Sequence, residues 1–195
     1  MIITDVPERL DELEGYAQSI HKLTGGDIYS FGLNLEDVPA IRDFVQNIDA
    51  GIEINYLINV AGINILKNFF SWELEEWEKV LRINATGTFF LTQVVVERMI
   101  VQKKKGNIVF VSSQHGVVAN HDRIPYCLSK GMLIQLTKAL ALELAPHDIR
   151  VNCVSPTFVL TERNQSFLYN SYFQKEALEQ IPLNKYALPV DVANG

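Results

Sequence analysis

The sequence predicts an α/β domain: a doubly wound parallel sheet with helices on both faces. Three observations carry that expectation. Short apolar runs of strand length alternate along the chain with longer segments of helical periodicity. Two of the runs, Tyr56-Leu57-Ile58-Asn59-Val60 and Ile108-Val109-Phe110-Val111, are nearly continuous in apolar residues, as in strands covered on both faces. Polar residues able to do chemistry gather just past the carboxyl ends of the strands, where such sheets bind ligands. Alternation of this kind implies right-handed crossovers and a single domain over residues 1–195.

Taken in order, Ile2-Ile3-Thr4-Asp5 reads as the last residues of a strand. Pro7 then starts a helix that turns Leu10, Leu13, Tyr16, Ala17 and Ile20 inward and ends at Gly25-Gly26. Ile28 to Leu33 is a short strand, and Glu36 to Ile48 a second amphipathic helix with Ile41, Phe44, Val45 and Ile48 inward. After the strand at Tyr56, one helical region is expected from about Ser71 to about Gln102, with Asn84 inside it. Lys103-Lys104-Lys105 before Gly106 reads as solvated cations at a helix C-terminus rather than a phosphate site. The strand at Ile108 ends at Ser112-Ser113, a long helix carries Tyr126 on to Leu144, and the strand Ile149 to Val154 is stopped by Pro156. The last third is aromatic-rich, with Phe158, Phe167, Tyr169, Tyr172 and Phe173.

A chain of 195 residues, 48% hydrophobic and 21% charged, can bury a sizeable core. Its net charge of −6 argues against a general binder of nucleic acid or anionic membranes. No apolar run reaches the length of a membrane span, and Met1-Ile2-Ile3-Thr4 lacks the basic start and apolar core of a signal peptide. Cys127 and Cys153 have neither metal-ligand nor redox spacing, and His21, His115, His121 and His147 form no local metal motif. A cytoplasmic protein without a metal is expected.

Tyr126 and Lys130 stand four residues apart at the start of the long helix, so they project from one face, one turn apart. A cation beside a phenol favours the phenolate, which makes a Tyr usable as a base near neutral pH. Alone, such a pair is commonly a surface feature. Ser113 can cap its strand end or donate to a ligand, and Asn84 can be a polar helix-surface residue or a functional one. Successive strand residues point to opposite faces, so only one of Ser112 and Ser113 can aim at Tyr126. Asp5 can accept hydrogen bonds from ribose hydroxyls or cap the helix begun by Pro7.

Together and in this order, the motifs resemble the short-chain dehydrogenase/reductase family. Asn59-Val60-Ala61-Gly62 resembles the family's Asn-Asn-Ala-Gly turn, which steadies the sheet beside the adenosine part of the cofactor. Asn84 falls where the family keeps a catalytic Asn, Ser113 precedes Tyr126 by thirteen residues as the family Ser does, and Tyr126 and Lys130 match its Tyr-x-x-x-Lys pair. Arg150-Val151-Asn152 and Pro156 to Thr161 resemble the next strand and its Pro-Gly-x-x-x-Thr loop.

The resemblance implies a Rossmann-like fold and hydride transfer between an alcohol or carbonyl carbon and nicotinamide. Tyr126 would be the general acid and base, and Ser113, selected by the spacing, would hold the substrate oxygen. Lys130 would lower the Tyr126 pKa and bind the nicotinamide ribose, and Asn84 would hold a relay water. Cofactor contacts are implied for Asp5, Asn34, Leu35, Asn59, Ala61, Gly62, Tyr126, Lys130, Pro156, Val159 and Thr161. Substrate contacts are implied for Ser113, His115, Tyr126 and Phe158, in a pocket also lined by Gln114, Asn120, His121, Asn164 and the aromatic segment after it. Asp5 has no adjoining Arg or Lys, Arg9 being a turn away, which favours NAD over NADP. A hydroxylated small molecule such as a sugar, sugar acid or polyol is the expected substrate. The helix at 126–144 is apolar almost all round, with Gln135 and Lys138 in a narrow polar strip. It and the helix around 84–102 are expected to build a dimer or tetramer.

The chain also departs from the family. The opening strand and its Thr-Gly-x-x-x-Gly-x-Gly turn have no counterpart, Val60 stands for an Asn, and Thr157 for the Gly of Pro-Gly. Pro189 to Ala193 reads as a helix start close to Gly195. The expectation is a fragment incomplete at both ends, which binds cofactor poorly and aggregates through exposed strand edges. A catalytically silent scaffold and an NADP-preferring reductase are the alternatives.

Overall fold

The computed structural model describes residues 1–170, 174 and 177–195. Tyr172 and Phe173 of the expected aromatic segment lie outside these. All strand pairings are parallel, as the alternation predicts. β1 (Ile2–Asp5) pairs with β2 (Tyr29–Gly32), while β3 (Tyr56–Asn59), β4 (Gly106–Val111) and β5 (Ile149–Val154) form a second sheet in the order β3-β4-β5. The register sets Asp5 beside Gly32, Asn59 beside Phe110 and Val111 beside Val154, so the strands of each sheet end level. Helix α1 (Leu10–Thr24) crosses from β1 to β2 and α5 (Ile124–Leu144) from β4 to β5, the helical region 74–101 crosses from β3 to β4, and α2 (Val38–Asn47) leads from the first sheet to the second.

Two features differ from the expected single sheet. Among the described residues no hydrogen-bonded pair joins β1–β2 to β3–β4–β5. β3 was expected to be covered on both faces, yet Tyr56 is 71% and Ile58 63% exposed. The reason is local: β3 packs on α4 (Thr88–Val101) with one face, while α1 packs on β1 and β2. For the same reason only Ala17 of the expected α1 stripe is buried, and Tyr16 is exposed.

β4 is the centre of the core. Its Ile108 and Phe110 are fully buried, packed with Ile41 and Val45 of α2, Val95 and Met99 of α4, and Leu133 of α5. Arg98 fastens α4 to the end of α2 by donating to the carbonyls of Val45, Ile48 and Ile52. Asp37 caps α2 by accepting from the Ala40 amide. Beyond β5, a smaller cluster of Leu168, Ala177 and Tyr186 packs under Phe158, and the Tyr186 hydroxyl donates to the Leu168 carbonyl.

The helix expected from Ser71 to Gln102 is not continuous. It comprises α3 (Leu74–Leu81), a π turn over Arg82–Gly87, and α4. Glu73 and Glu76 form a capping box at the start of α3. The π turn widens the backbone where Asn84 must face inward and where Gly87 presses on Leu35. A Cβ at Gly87 would collide with the Leu35 carbonyl oxygen. Lys104 and Lys105 of the basic run are surface ion-pair partners of Glu53 and Asp148. Among the described residues no helix is long and apolar enough to cross a membrane.

Candidate active site

The carboxyl ends of β3, β4 and β5 open onto a cavity of about 420 Å³. Val60 and Gly62 reach it from β3, Ser112 to His115 from β4, Pro156 to Val159 and Thr161 from β5, and Tyr126 and Lys130 from the first turns of α5. Helical periodicity sets the last two on one face, and the Lys130 ammonium lies 5.7 Å from the centre of the Tyr126 ring. The Tyr126 hydroxyl has no hydrogen-bond partner among the described residues, which leaves it open to a ligand.

Lys130 is 4% exposed and donates to the Val111 carbonyl at 2.8 Å. Burial pulls its pKa down from 10.5 to about 8. Ser112 spends its hydroxyl hydrogen on the Lys130 carbonyl at 2.7 Å, locking β4 to α5. Ser113 accepts from the His115 amide at 3.1 Å, the capping contact read as one alternative, and its own O–H remains free to donate.

Asn84 is fully buried in the π turn. Its amide donates to the Ile63 carbonyl and to the Ser129 hydroxyl, and accepts from the Ile63 N–H. Ser129 in turn donates to the Tyr126 carbonyl at 2.8 Å. This chain braces the turn after β3 against the start of α5. Both amide hydrogens are therefore committed to protein groups, a bracing role that the sequence does not announce. The remaining lone pair of Oδ1 lies beside Gly62, where a Cβ would stand 3.3 Å from both Asn84 Oδ1 and Lys130 Nζ.

The other expected residues are placed as follows. Asn59 is buried and donates to Thr92 Oγ1, tying the end of β3 to α4. Gly62 is exposed and lines the cavity, whereas Ala61 is exposed and lies outside its lining. Asn34 accepts from the Glu36 amide in an Asx turn, and Leu35 is buried under Gly87. Asn164 shapes the loop after β5 by donating to the Val159 carbonyl and accepting from the Thr161 amide. Asp5 does not cap the following helix: it accepts from the Val6 amide and pairs with Arg9, which also holds Glu12. Arg9, a turn away in sequence, is therefore brought onto Asp5. Asn120 and His121 are exposed and lie outside the cavity lining, whereas Gln114, His115, Phe158 and Asn164 belong to it. Phe167 of the aromatic segment lines it as expected, and Arg123 and Asn64 line it without having been expected.

The short chain dehydrogenase family model matches residues 2–170. The chain belongs to that family. As short chain dehydrogenases, its relatives are oxidoreductases acting on CH–OH groups with NAD(P). The chain is 35% identical over 187 residues to the 3-oxoacyl-[acyl-carrier-protein] reductase FabG of Aquifex aeolicus, covering 94% of this chain and 73% of that one. It is 37% identical over 143 residues to human L-xylulose reductase, covering 72% of this chain and 58% of that one. The structure of ElxO with NADP bound superposes with a TM-score of 0.85 at 26% identity, over 100% of this chain and 78% of that one. A gluconate 5-dehydrogenase from Burkholderia cenocepacia, 23% identical, shares the fold with a TM-score of 0.86 over 96% of this chain and 72% of that one.

The residues present fit the nicotinamide half of a dinucleotide. Gly62 leaves a cradle that a side chain would fill, the Tyr126 hydroxyl is unpartnered, and the loop from Pro156 to Thr161 is held open by Asn164.

Proposed function

We propose that this short chain dehydrogenase interconverts an alcohol and a carbonyl on a hydroxylated small molecule, with Tyr126 as general acid and base. The carrying observation is that Ser113, Tyr126 and Lys130, from two different elements, line one cavity, with the Lys130 ammonium facing the Tyr126 ring. In oxidation Tyr126 takes the hydroxyl proton, and in reduction it returns one. The free Ser113 O–H donates to the substrate oxygen, where charge develops. Lys130 sets a positive charge opposite the negative one a phenolate carries, and it reaches the ribose side of the cavity next to Gly62. Asn84 holds this side in register through Ile63 and Ser129, and offers its free lone pair to a relay water. Phe158 and His115 form the substrate wall.

When bound, NAD(P) supplies the hydride acceptor or donor. Lys130, Tyr126, Gly62, Pro156, Val159 and Thr161, which line the cavity, would hold its nicotinamide half, and Asp5, Asn34, Leu35, Asn59 and Ala61 would lie on its adenosine side. NAD is the proposed form, because Asp5 at the end of β1 and Glu12 nearby gather two carboxylates around Arg9, and carboxylates there would repel a 2′-phosphate. Arg9 favours a second reading: its guanidinium, already on Asp5, can turn to a 2′-phosphate, and ElxO has NADP bound. Comparing the two cofactors in Arg9→Gln decides this, since the second reading expects NADP to weaken selectively and the first expects no selective loss.

Leu128 and Leu142 remain exposed on α5, as does Val101 at the end of α4, which supports a dimer or tetramer through these helices. The free thiols Cys127 and Cys153 suit a reducing cytoplasm. The deciding experiment is Tyr126→Phe. Turnover should fall by about a thousandfold or more while NAD(P) affinity changes little. Retained turnover would remove Tyr126 from the chemistry.

A further inference from the structure

The charge inside the cavity is opposite to that of the molecule. The chain carries 23 acidic and 17 basic residues, yet among the described residues no Asp or Glu lines the cavity. Its charged groups are Lys130, committed to the Val111 carbonyl and Tyr126, and Arg123. Arg123 directly precedes α5, three residues before Tyr126. Its Nε donates to the His121 carbonyl, and it meets no carboxylate among the described residues. Arg9, Arg82 and Arg163, by contrast, are all paired with Asp or Glu.

A second observation marks the same wall. His115 is 7% exposed and lines the cavity, and among the described residues its Nδ1 has no hydrogen-bond partner. A buried ring nitrogen without a partner is costly unless a ligand satisfies it. Burial first, and then the Arg123 charge, push the His115 pKa down, so the imidazole is neutral at pH 7 and can accept or donate.

We propose that Arg123 anchors a substrate carboxylate, with His115 taking a neighbouring hydroxyl, so that the substrate is a hydroxy acid and the product its oxo acid. This rests on the dehydrogenase reading above and names its substrate class. The guanidinium fork matches a carboxylate, and the start of α5 adds a positive end to the same spot. Oxidation remains the same balanced step: the carbinol C–H leaves as hydride to NAD(P)⁺ and its O–H proton passes to Tyr126.

The test pairs acids with neutral counterparts of the same length, gluconate with glucitol and glycerate with glycerol, on the full chain. The better acid should exceed its neutral partner in kcat/KM. Arg123→Gln should lower kcat/KM for that acid by about 10- to 100-fold, mostly through KM, and leave the neutral alcohol within about threefold. Arg123→Lys should recover part of the loss, and circular dichroism checks the fold of each variant. Equal loss on both classes, a wild-type preference for the neutral alcohols, or weakened NAD(P) binding in Arg123→Gln would overturn the proposal. The last outcome would assign Arg123 to a cofactor phosphate instead. If no compound is turned over, the dehydrogenase reading fails and calorimetric titration with the two acids still decides. Binding that survives Tyr126→Phe and is lost in Arg123→Gln supports the anchor, and no binding by the wild type overturns it.

Discussion

Burying the Lys130 ammonium costs the fold stability at neutral pH. Its pKa is about 8 in the folded chain against 10.5 when free, so the unfolded chain binds the extra proton between these values. The penalty, about 3 kcal/mol, is full below pH 8 and fades as the pH rises towards 10.5. Lys130→Met removes it and forfeits the bond to the Val111 carbonyl, worth about 1 kcal/mol. We therefore predict a variant without turnover that melts about 5 °C higher than wild type at pH 7, with the gap closing by pH 10. Thermal scans across that range check the sign. His115 has the same sign at lower pH: its folded pKa is depressed, so the stability it leaves intact at pH 7 is lost as pH falls below 6.5. The spacing of Tyr126 and Lys130 was legible because both sit within one turn of one helix. Arg123 was not, because an acid-free cavity wall is assembled from separate loops and leaves no local pattern.

At the scale of elements, the π turn at Arg82–Gly87 is the part the sequence hides. Apolar residues continue at helical spacing through the region, and one additional residue in a turn leaves the periodicity almost unchanged. Its cause lies far off in the chain: Ile63 is 21 residues from Asn84 and Ser129 is 45. The placement of Asn84 in a helix was readable, whereas its role as a brace depends on contacts no short window contains. Two variants test the account. Gly87→Ala drives a methyl into the Leu35 carbonyl and should cost about 3 kcal/mol in denaturant unfolding. Asn84→Ala strips partners from the Ile63 N–H and C=O and should cost a similar amount, about 2 to 4 kcal/mol. Asn84→Ala should lower kcat more than Gly87→Ala does, since it also releases the start of α5.

At the scale of the whole molecule, the parallel sheets and their order of helices were legible because each strand and helix carries its own period. The division into β1–β2 and β3–β4–β5 shows only in the pairing. The first layer is tied to the second through Phe31 on Phe44, Leu33 and Leu35 in the main core, and the exposed Glu12–Arg163 pair. An exposed ion pair of this kind adds little. Hydrogen exchange should therefore be uneven: amides of β1 and β2 should exchange at least tenfold faster than those of Ile108 and Phe110. Equal protection in the two sheets would show that they unfold as one. The bare flank of β3, with Tyr56 and Ile58 outward beside a backbone edge that is unpaired among the described residues, has a consequence in time as well as in space. Two such edges must meet before either is covered, so clearing of a warmed solution should follow a second-order law. Doubling the protein concentration should halve the time to half-loss, and a charge in place of Ile58 should restore a half-life independent of dilution.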